Sequence, residues 1–279
     1  MIPFLGIAYG LTSAVVWGTG DFLGGLAARR SAPFQVLTLA AMSSLVVLLP
    51  LVGLTGEAFP SAATIGWSFA AGLSGAVGIV ALYRGLSLGS AAVVAPTSAI
   101  VSAAVPVLVG TLVEGLPAPT DLAGIAAGLV GIALVSRPPG ARSGADRRGF
   151  GLGLAAGVGF GAFFVLFAQV ERGGLFAPLA VAKLAALIIG GAALLAGRQV
   201  LPHPRSNPIA LIAGVLDAGG NLFFLLASRA TTLAIASVLS AMYPASTVAL
   251  SAVVLKESIG RIPFVGVVLC LAGVALISM

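Results

Sequence analysis

The stretch "EGLPAPTDLAGIAAGLVGIALVS" covers residues 114–136, and a similar stretch, "ESIGRIPFVGVVLCLAGVALIS", covers residues 257–278. Both begin with a glutamate, continue through an apolar segment with glycines at matching intervals, and end on nearly the same six letters. A segment that recurs far along a chain is the usual sign of a repeated structural unit. These two stretches therefore predict two copies of one unit.

Further matches extend this prediction to whole halves of the chain. "GIAYGLTSAVVWG" at residues 6–18 resembles "GLGLAAGVGFGAFF" at residues 151–164, and "AGLSG" at 71–75 lies opposite "AGVLD" at 213–217. The longest polar run, "RPPGARSGADRRG", falls between the halves. We predict a first repeat over residues 1–136, a polar linker over 137–149 and a second repeat over 150–279.

The composition indicates that the solvent of this chain is lipid. Of its 279 residues, 59% are hydrophobic and 8% are charged, whereas soluble domains carry about 25% charged residues. Apolar runs of about 20 residues, long enough to cross a bilayer, recur along the chain. We predict an all-α integral membrane protein with ten transmembrane helices, at residues 4–27, 33–54, 63–83, 90–113, 119–136, 150–170, 175–197, 208–228, 233–255 and 261–279.

Five helices per repeat is an odd number, so the second repeat is expected to cross the membrane in the opposite sense to the first. Basic residues test this arrangement because cytoplasmic loops collect them. Among the basic residues at helix ends and in loops, only Arg172 and Arg229 fall on the predicted outer side, and the others fall on the predicted cytoplasmic side. Both termini are then outside the cytoplasm, and we expect a bacterial inner membrane location. The net charge of +6 follows from this distribution and does not indicate nucleic acid.

Three ionisable residues lie at membrane depth, where each costs at least about 2.5–3.5 kcal/mol and is a candidate for function. Lys183 and Asp217 lie near the middle of consecutive antiparallel helices, and Asp21 lies toward the cytoplasmic end of the first helix. Lys183 and Asp217 are expected at similar depth. They have three interpretations: a structural salt bridge, a substrate or coupling site, or a Lys183 side chain that reaches the membrane surface.

Other candidates surround these charges. Asn221 lies one turn after Asp217 on the same helix face, so the two suit an ammonium or hydroxyl group, or else Asn221 bonds a neighbouring helix. Aromatic residues are candidates for cavity walls, although Trp and Tyr also gather at membrane surfaces. The aromatic residues assigned to substrate binding are Trp17, Tyr83, Phe160, Phe164 and Tyr243.

Prolines fall in the fourth and ninth helices, which occupy matching places in the two repeats. Pro96 and Pro106 lie in the fourth helix and Pro244 lies in the ninth. Interrupted helices in corresponding places mark the binding region of inverted-repeat transporters. We therefore predict interruptions in both helices.

The chain lacks the residues of the usual enzyme sites. One histidine and one cysteine cannot build a metal centre, no Gly-rich loop with lysine is present, and the only histidine lies in a loop, away from the serine of "GLSG". "GTGD" at residues 18–21 spells a protease motif but has no second aspartate in the matching context. We expect no enzyme activity, metal or cofactor.

Three motifs resemble the drug/metabolite transporter superfamily, in its ten-helix branch of two EamA-like domains. They are "WGTGDF" at residues 17–22, "YRGLSLGSAAVVAP" at 83–96 and "YPASTVALSAVVLKE" at 243–257. The resemblance implies a secondary transporter, an exporter of small metabolites such as amino acids or amines, with a cavity between the halves and alternating access. The alternatives are a non-transporting membrane scaffold and a lipid head-group flippase. Expected partners are a small-molecule substrate and membrane lipid, with a homodimer left open.

Overall fold

Helices form all the regular secondary structure in the computed structural model, which describes residues 3–88, 91–136, 147–201, 203–256 and 260–279. Short turns connect them, together with a 3-10 turn at Pro204–Ser206. Apart from the predicted ninth helix, their ends lie within a few residues of those predicted. The helices are α1 Pro3–Ala28, α2 Pro33–Thr55, α3 Ala62–Ser87, α4 Ala91–Glu114, α5 Pro119–Val135, α6 Arg147–Ala168, α7 Phe176–Ala196, α8 Pro208–Ala230, α9 Leu233–Ser240, α10 Tyr243–Val254 and α11 Arg261–Ile277.

Seven segments in the described ranges are long and apolar enough to cross a membrane. They include most of α2, α3, α4, α6, α7 and α8, and the segment Leu233–Val254, which contains α9 and α10. The apolar helices α5 and α11 have 17 residues each, the lower end of the range that spans a bilayer. The chain is a multi-pass membrane protein.

The predicted ninth helix is broken in the structure, whereas the predicted fourth helix is not. α9 ends at Ser240 and α10 begins at Tyr243. Pro244 is the second residue of α10, a position where the missing N–H of proline leaves no bond unmade. Pro96 and Pro106 lie inside the continuous helix α4, so the predicted interruption there is wrong. Helices inside membranes tolerate proline where neighbouring groups satisfy the freed carbonyls.

The most extensive contacts between helices are preserved when the two halves of the chain are exchanged. α1 packs along α8 as α6 packs along α3, and α2 contacts α8 as α7 contacts α3. α4 lies on α6, and the α9–α10 pair lies on α1. α2 pairs with α7 and α5 pairs with α11. The first helix of each half therefore packs against the third helix of the other.

Glycines bring the backbones of these helices into contact at equivalent places. A Cβ atom on Gly72 of α3 would lie 2.2 Å from the carbonyl oxygen of Ala182, and one on Gly214 of α8 would lie 2.1 Å from that of Ala40. No side chain fits at either crossing. Close approach of this kind gives membrane helices their packing energy, since burial from water supplies little in lipid.

Polar residues divide between the two ends of the bundle. At one end, called the Arg-rich end here, the side-chain amide of Asn207 donates to Ala27 O, and Gln35 donates to Val200 O. The exposed Arg29, Arg30, Arg198 and Arg205 lie in or beside these turns. At the other end, called the acidic end, lie Glu57, Glu114 and Glu171. Each of these three carboxylates bonds groups of another segment.

Glu57 fixes the start of α7 from a distant loop. Its carboxylate accepts hydrogen bonds from the backbone N–H groups of Leu175, Phe176 and Ala177, at 2.8–3.1 Å. Leu175 precedes the helix and has no side chain that could cap it, so Glu57 satisfies these free donors. Partial burial raises the pKa of Glu57, but these bonds and the positive charge of Arg229 lower it more, and the net pKa lies below its usual value.

This lowered pKa predicts how the stability of the protein depends on pH. The contribution of Glu57 is fully present above its unfolded-state pKa, near 4.5, and is lost as the pH falls below that through the folded-state pKa. We expect Glu57→Gln to lower the Tm in detergent at pH about 7 and to have little effect at about pH 3. A Tm difference that stays constant over this range would contradict the capping role.

Candidate functional site

The centre of the site is an ion pair between α7 and α8. Lys183 Nζ contacts Asp217 Oδ2 near the middle of both helices. Lys183 is 7% exposed, so its side chain does not reach the membrane surface. The Asp217 side chain is 48% exposed. The pair therefore buries its cation and leaves its carboxylate accessible.

Trp17 of α1 completes the surroundings of Asp217. Its indole Nε1–H donates to Asp217 Oδ1 at 3.2 Å. Gly220 makes this approach feasible, because a Cβ atom there would lie 2.3 Å from the indole ring. The Ser13 hydroxyl donates to Gly220 O at 2.9 Å and holds α1 against α8 one turn away. Both oxygens of Asp217 thus have a donor, from two different helices.

Aromatic rings cover one side of Trp17. Its ring centroid lies 5.6 Å from that of Phe164 and 6.2 Å from that of Phe224. Phe164 and Phe224 are themselves 4.6 Å apart. Phe163 and Phe167 extend the cluster on α6, with their centroids 5.3 Å apart. Phe164, Phe167 and Phe224 are buried, so these rings form a closed apolar layer.

The interior face of α1 is closed on one side of Trp17 and open on the other. Gly10 and Ser13, toward the acidic end, share this face with Trp17 and are buried. Asp21 and Gly25, on the same face toward the Arg-rich end, are exposed, and nothing lies within 4 Å of a Cβ atom built on Gly25. The packing of the bundle therefore loosens at the level of Trp17.

The broken helix shows the same change of packing. Every residue of α9, on the acidic side of the break, is buried. In α10, on the other side, none of the residues whose burial is described is fully buried. The hydroxyl of Thr247, in α10, donates a hydrogen bond to Gly18 O of α1 at 3.0 Å, and this bond joins α10 to α1. The opening beside α1 is thus bordered by α10.

Three further candidates lie near the ion pair. Asp21 lies one turn after Trp17 on α1, and Tyr243 at the start of α10 lies against the same helix, because a Cβ atom on Gly18 would lie 2.5 Å from Tyr243 O. Asn221 is 3% exposed and lies one turn after Asp217. The structure thus assembles polar groups from α1, α7, α8 and α10 at one level.

Two predicted residues are not part of this group as described, and one residue of the group was not predicted. Phe160 packs against Gly78 of α3, where a Cβ atom would lie 2.8 Å from its ring. The Tyr83 side chain lies outside the described part of the chain. Phe224 was not predicted, although it lies seven residues after Asp217 and hence on nearly the same helix face. No group of three potential metal ligands occurs in the described ranges.

Two hollows lie away from this site. An open apolar groove of about 620 Å³ lies between α3 and α6, lined by residues such as Leu73, Val77, Leu154 and Val158. A smaller one of about 280 Å³ lies at the acidic end, near Ser61, Thr64 and Glu171. Neither contains the Lys183–Asp217 pair, so the site is defined by its polar contacts and not by these volumes.

Comparison with known proteins identifies the family. A family model for EamA-like transporters matches residues 4–137 and matches a second time at residues 147–279. The chain belongs to the EamA-like transporter family. This EamA-like protein is therefore a membrane transporter of the drug/metabolite type, as its sequence motifs indicate. The family is a transporter family and not a family of enzymes.

Solved structures show the same fold. One of 29 matching chains, described as "Crystal structure of protein", aligns with a TM-score of 0.76 at 18% identity. The alignment covers 97% of this chain and 95% of the other. No curated protein sequence matches significantly. The EamA-like fold thus extends over nearly the whole chain.

The unequal burial of the ion pair predicts unequal effects of removing its members. Asp217→Asn leaves Lys183 buried without a counter-ion, and we expect a loss of about 3–5 kcal/mol in the free energy of unfolding. Lys183→Met leaves a half-exposed carboxylate that water can solvate, so the loss is smaller. The double variant recovers part of the stability. Chemical unfolding in detergent micelles measures all three.

The order of these effects is the decisive result. If Lys183→Met destabilises the protein as much as Asp217→Asn, or if the double variant recovers nothing, then Lys183 is not buried more deeply than Asp217 in an ion pair. The amide oxygen that Asp217→Asn introduces can still accept the Trp17 N–H, so that bond does not distinguish the variants.

Proposed function

We propose that this protein is a secondary transporter of the bacterial inner membrane that exports small metabolites, such as amino acids or amines, by alternating access. Its ten spans form two inverted repeats, residues 1–136 and 150–279, joined by the linker 137–149. In this proposal the α9–α10 pair acts as one span. The observation that carries the proposal is the Trp17–Asp217–Lys183 contact, placed where the bundle changes from closed to open.

Several features support the inverted repeats. The helix packing is preserved when the halves are exchanged, and the family model matches each half. The positions equivalent to Gly72 and Gly214 make the same backbone contact in each half. Five spans in each half give the copies opposite orientations. Basic residues then gather at the Arg-rich end, which we assign to the cytoplasm.

Cysteine labelling tests this orientation. Cys270 is the only cysteine in the sequence and is buried, so Cys270→Ala provides a background without thiols. In it, Ala58→Cys at the acidic end should react with a membrane-impermeant maleimide on intact cells. Ser206→Cys at the Arg-rich end should react only after the membrane is opened. The reverse result would invert the orientation, and reaction of both from one side would exclude the alternating crossings.

The geometry of the site supports a substrate role. Paired charges at membrane depth are costly and are kept where they serve a pathway. The half-exposed Asp217 carboxylate faces the open side, whereas the Phe164–Phe224 layer closes the other side. A small polar solute that enters from the Arg-rich end therefore meets Trp17, Asp217 and Asp21 before the aromatic layer. Rearrangement of that layer would open the route toward the acidic end.

Transport by purified protein in liposomes tests the function, and the two tryptophans of the chain give a matched pair of variants. We expect saturable uptake of at least one radiolabelled amino acid or amine. Trp17→Phe removes the hydrogen bond to Asp217 and should reduce kcat/KM by about tenfold, the effect of about 1.4 kcal/mol. Trp67→Phe, at a position 42% exposed on α3, should leave uptake unchanged.

The rival functions give different results. A scaffold gives no saturable uptake of any solute in the panel. A flippase gives none either, but speeds the movement of fluorescent phospholipid head groups between leaflets. Equal effects of the two tryptophan variants would show that Trp17 does not contact the transported solute.

A further inference from the structure

We propose that the site between α1, α8 and α10 selects small organic monocations, with Asp21 and Asp217 on either side of a single ammonium group. This inference rests on the proposed transport function and narrows its substrate class. It excludes zwitterions and anions as preferred substrates, and it assigns to Asp21 a role different from that of Asp217.

The charge balance of the site is the first argument. Lys183 neutralises Asp217 in a direct ion pair. Asp21 has no ion-pair partner and no side-chain hydrogen bond in the described part of the chain, and it lies one turn from Trp17, whose indole N–H donates to Asp217. Two carboxylates and one ammonium leave a net charge of −1. With both carboxylates ionised, this net charge is costly at membrane depth, and it is removed by a proton on Asp21 or by one bound monocation.

Asn221 gives an independent argument for a ligand. It is 3% exposed, yet its side-chain amide has no hydrogen-bond partner among the described residues. Its polar atoms are not among the fully enclosed side-chain atoms that lack a partner in the described ranges, so the amide keeps access to the space beside it, where a ligand group could satisfy it. Side chains on a helix lean toward its N-terminus, so Asn221 leans toward Asp217. Its oxygen can therefore accept an N–H from an ammonium group that is bound beside that carboxylate.

The direction of Asp21 agrees with this placement. It lies one turn after Trp17 on the same face of α1, and its side chain leans back toward Trp17 and hence toward Asp217. Tyr243 of α10 lies against the neighbouring turn of α1, because a Cβ atom on Gly18 would lie 2.5 Å from Tyr243 O. Asp21 is on the exposed side of the aromatic layer, so a cation entering from the Arg-rich end meets Asp21 first.

A carboxylate or zwitterionic solute is disfavoured by the same groups. Its negative end would lie near two aspartates, and the one lysine is buried and already paired. The tryptophan N–H is also engaged with Asp217. The donor that remains, the Asn221 amide, is uncharged, so the described groups of the site offer no free cation to a substrate carboxylate. Selection thus comes from repulsion of the wrong charge as well as from attraction of the right one.

Counterflow in proteoliposomes tests the inference with solutes matched in size. One series is ethanolamine, glycine and glycolate, and the other is phenethylamine, phenylalanine and phenylpropionate. Each contains a cation, a zwitterion and an anion at neutral pH, and protein-free liposomes correct for passive leak. We expect saturable flux of a cation in at least one series and at least tenfold lower flux of its zwitterion and anion.

Variants of Asp21 identify the group responsible. Asp21→Asn should lower the ratio of cation to zwitterion flux at least tenfold, because the site then has no net charge. Asp21→Glu should retain most of the preference. Asp121→Asn, in the first turn of α5, is the matched control and should change nothing. Size-exclusion profiles and Tm values show whether each variant folds. If Asp21→Asn does not fold, Asp21→Glu still tests whether a carboxylate at this position carries the preference.

The outcomes separate the two proposals. Saturable flux of a zwitterion or anion with none of a cation overturns the inference and leaves the transport function intact. A wild-type cation preference in folded Asp21→Asn also overturns it. Absence of saturable flux for all six solutes, together with none for the wider amino acid and amine panel, removes the transport function and the inference with it.

Discussion

The cost of placing charge inside a membrane governs the design of this protein. A bundle that is otherwise apolar keeps Lys183 and Asp217 at the middle of two neighbouring helices, where each alone would be strongly unfavourable. Their contact requires α7 and α8 to lie at a fixed depth relative to each other. Trp17 then fixes α1 to the same point through its N–H bond. Three helices from both halves of the chain are thus aligned by one carboxylate.

Much of the fold was predictable because lipid leaves few choices. A segment of about 20 apolar residues must form a helix in order to satisfy its backbone groups, so the apolar runs and the short turns between them were enough to place most helices. The break between α9 and α10 was placed in the correct region by Pro244. The same reasoning failed for Pro96 and Pro106, because tolerance of a proline depends on what its neighbours supply to the freed carbonyls.

The site was predictable only in part. Charge at depth identified Lys183, Asp217 and Asp21, and consecutive antiparallel helices explained why the first two meet. Sequence could not show that Lys183 is buried while Asp217 is half exposed, since that difference depends on which helices pack over each side chain. Nor could it show that Gly220 admits the indole of Trp17. Phe224 illustrates the limit, because its ring contacts depend on helices distant in the chain.

The ion pair is present in only one half of an otherwise repeated fold. In the alignment of "AGLSG" with "AGVLD", Gly75 stands opposite Asp217, so the first half has no equivalent carboxylate. Two identical halves in the proposed inverted arrangement would give conformations of equal free energy, one open to each side of the membrane. Charges confined to one half remove this degeneracy. The preferred resting conformation of the transporter is therefore encoded in the differences between its halves, while their common fold supplies the ability to change.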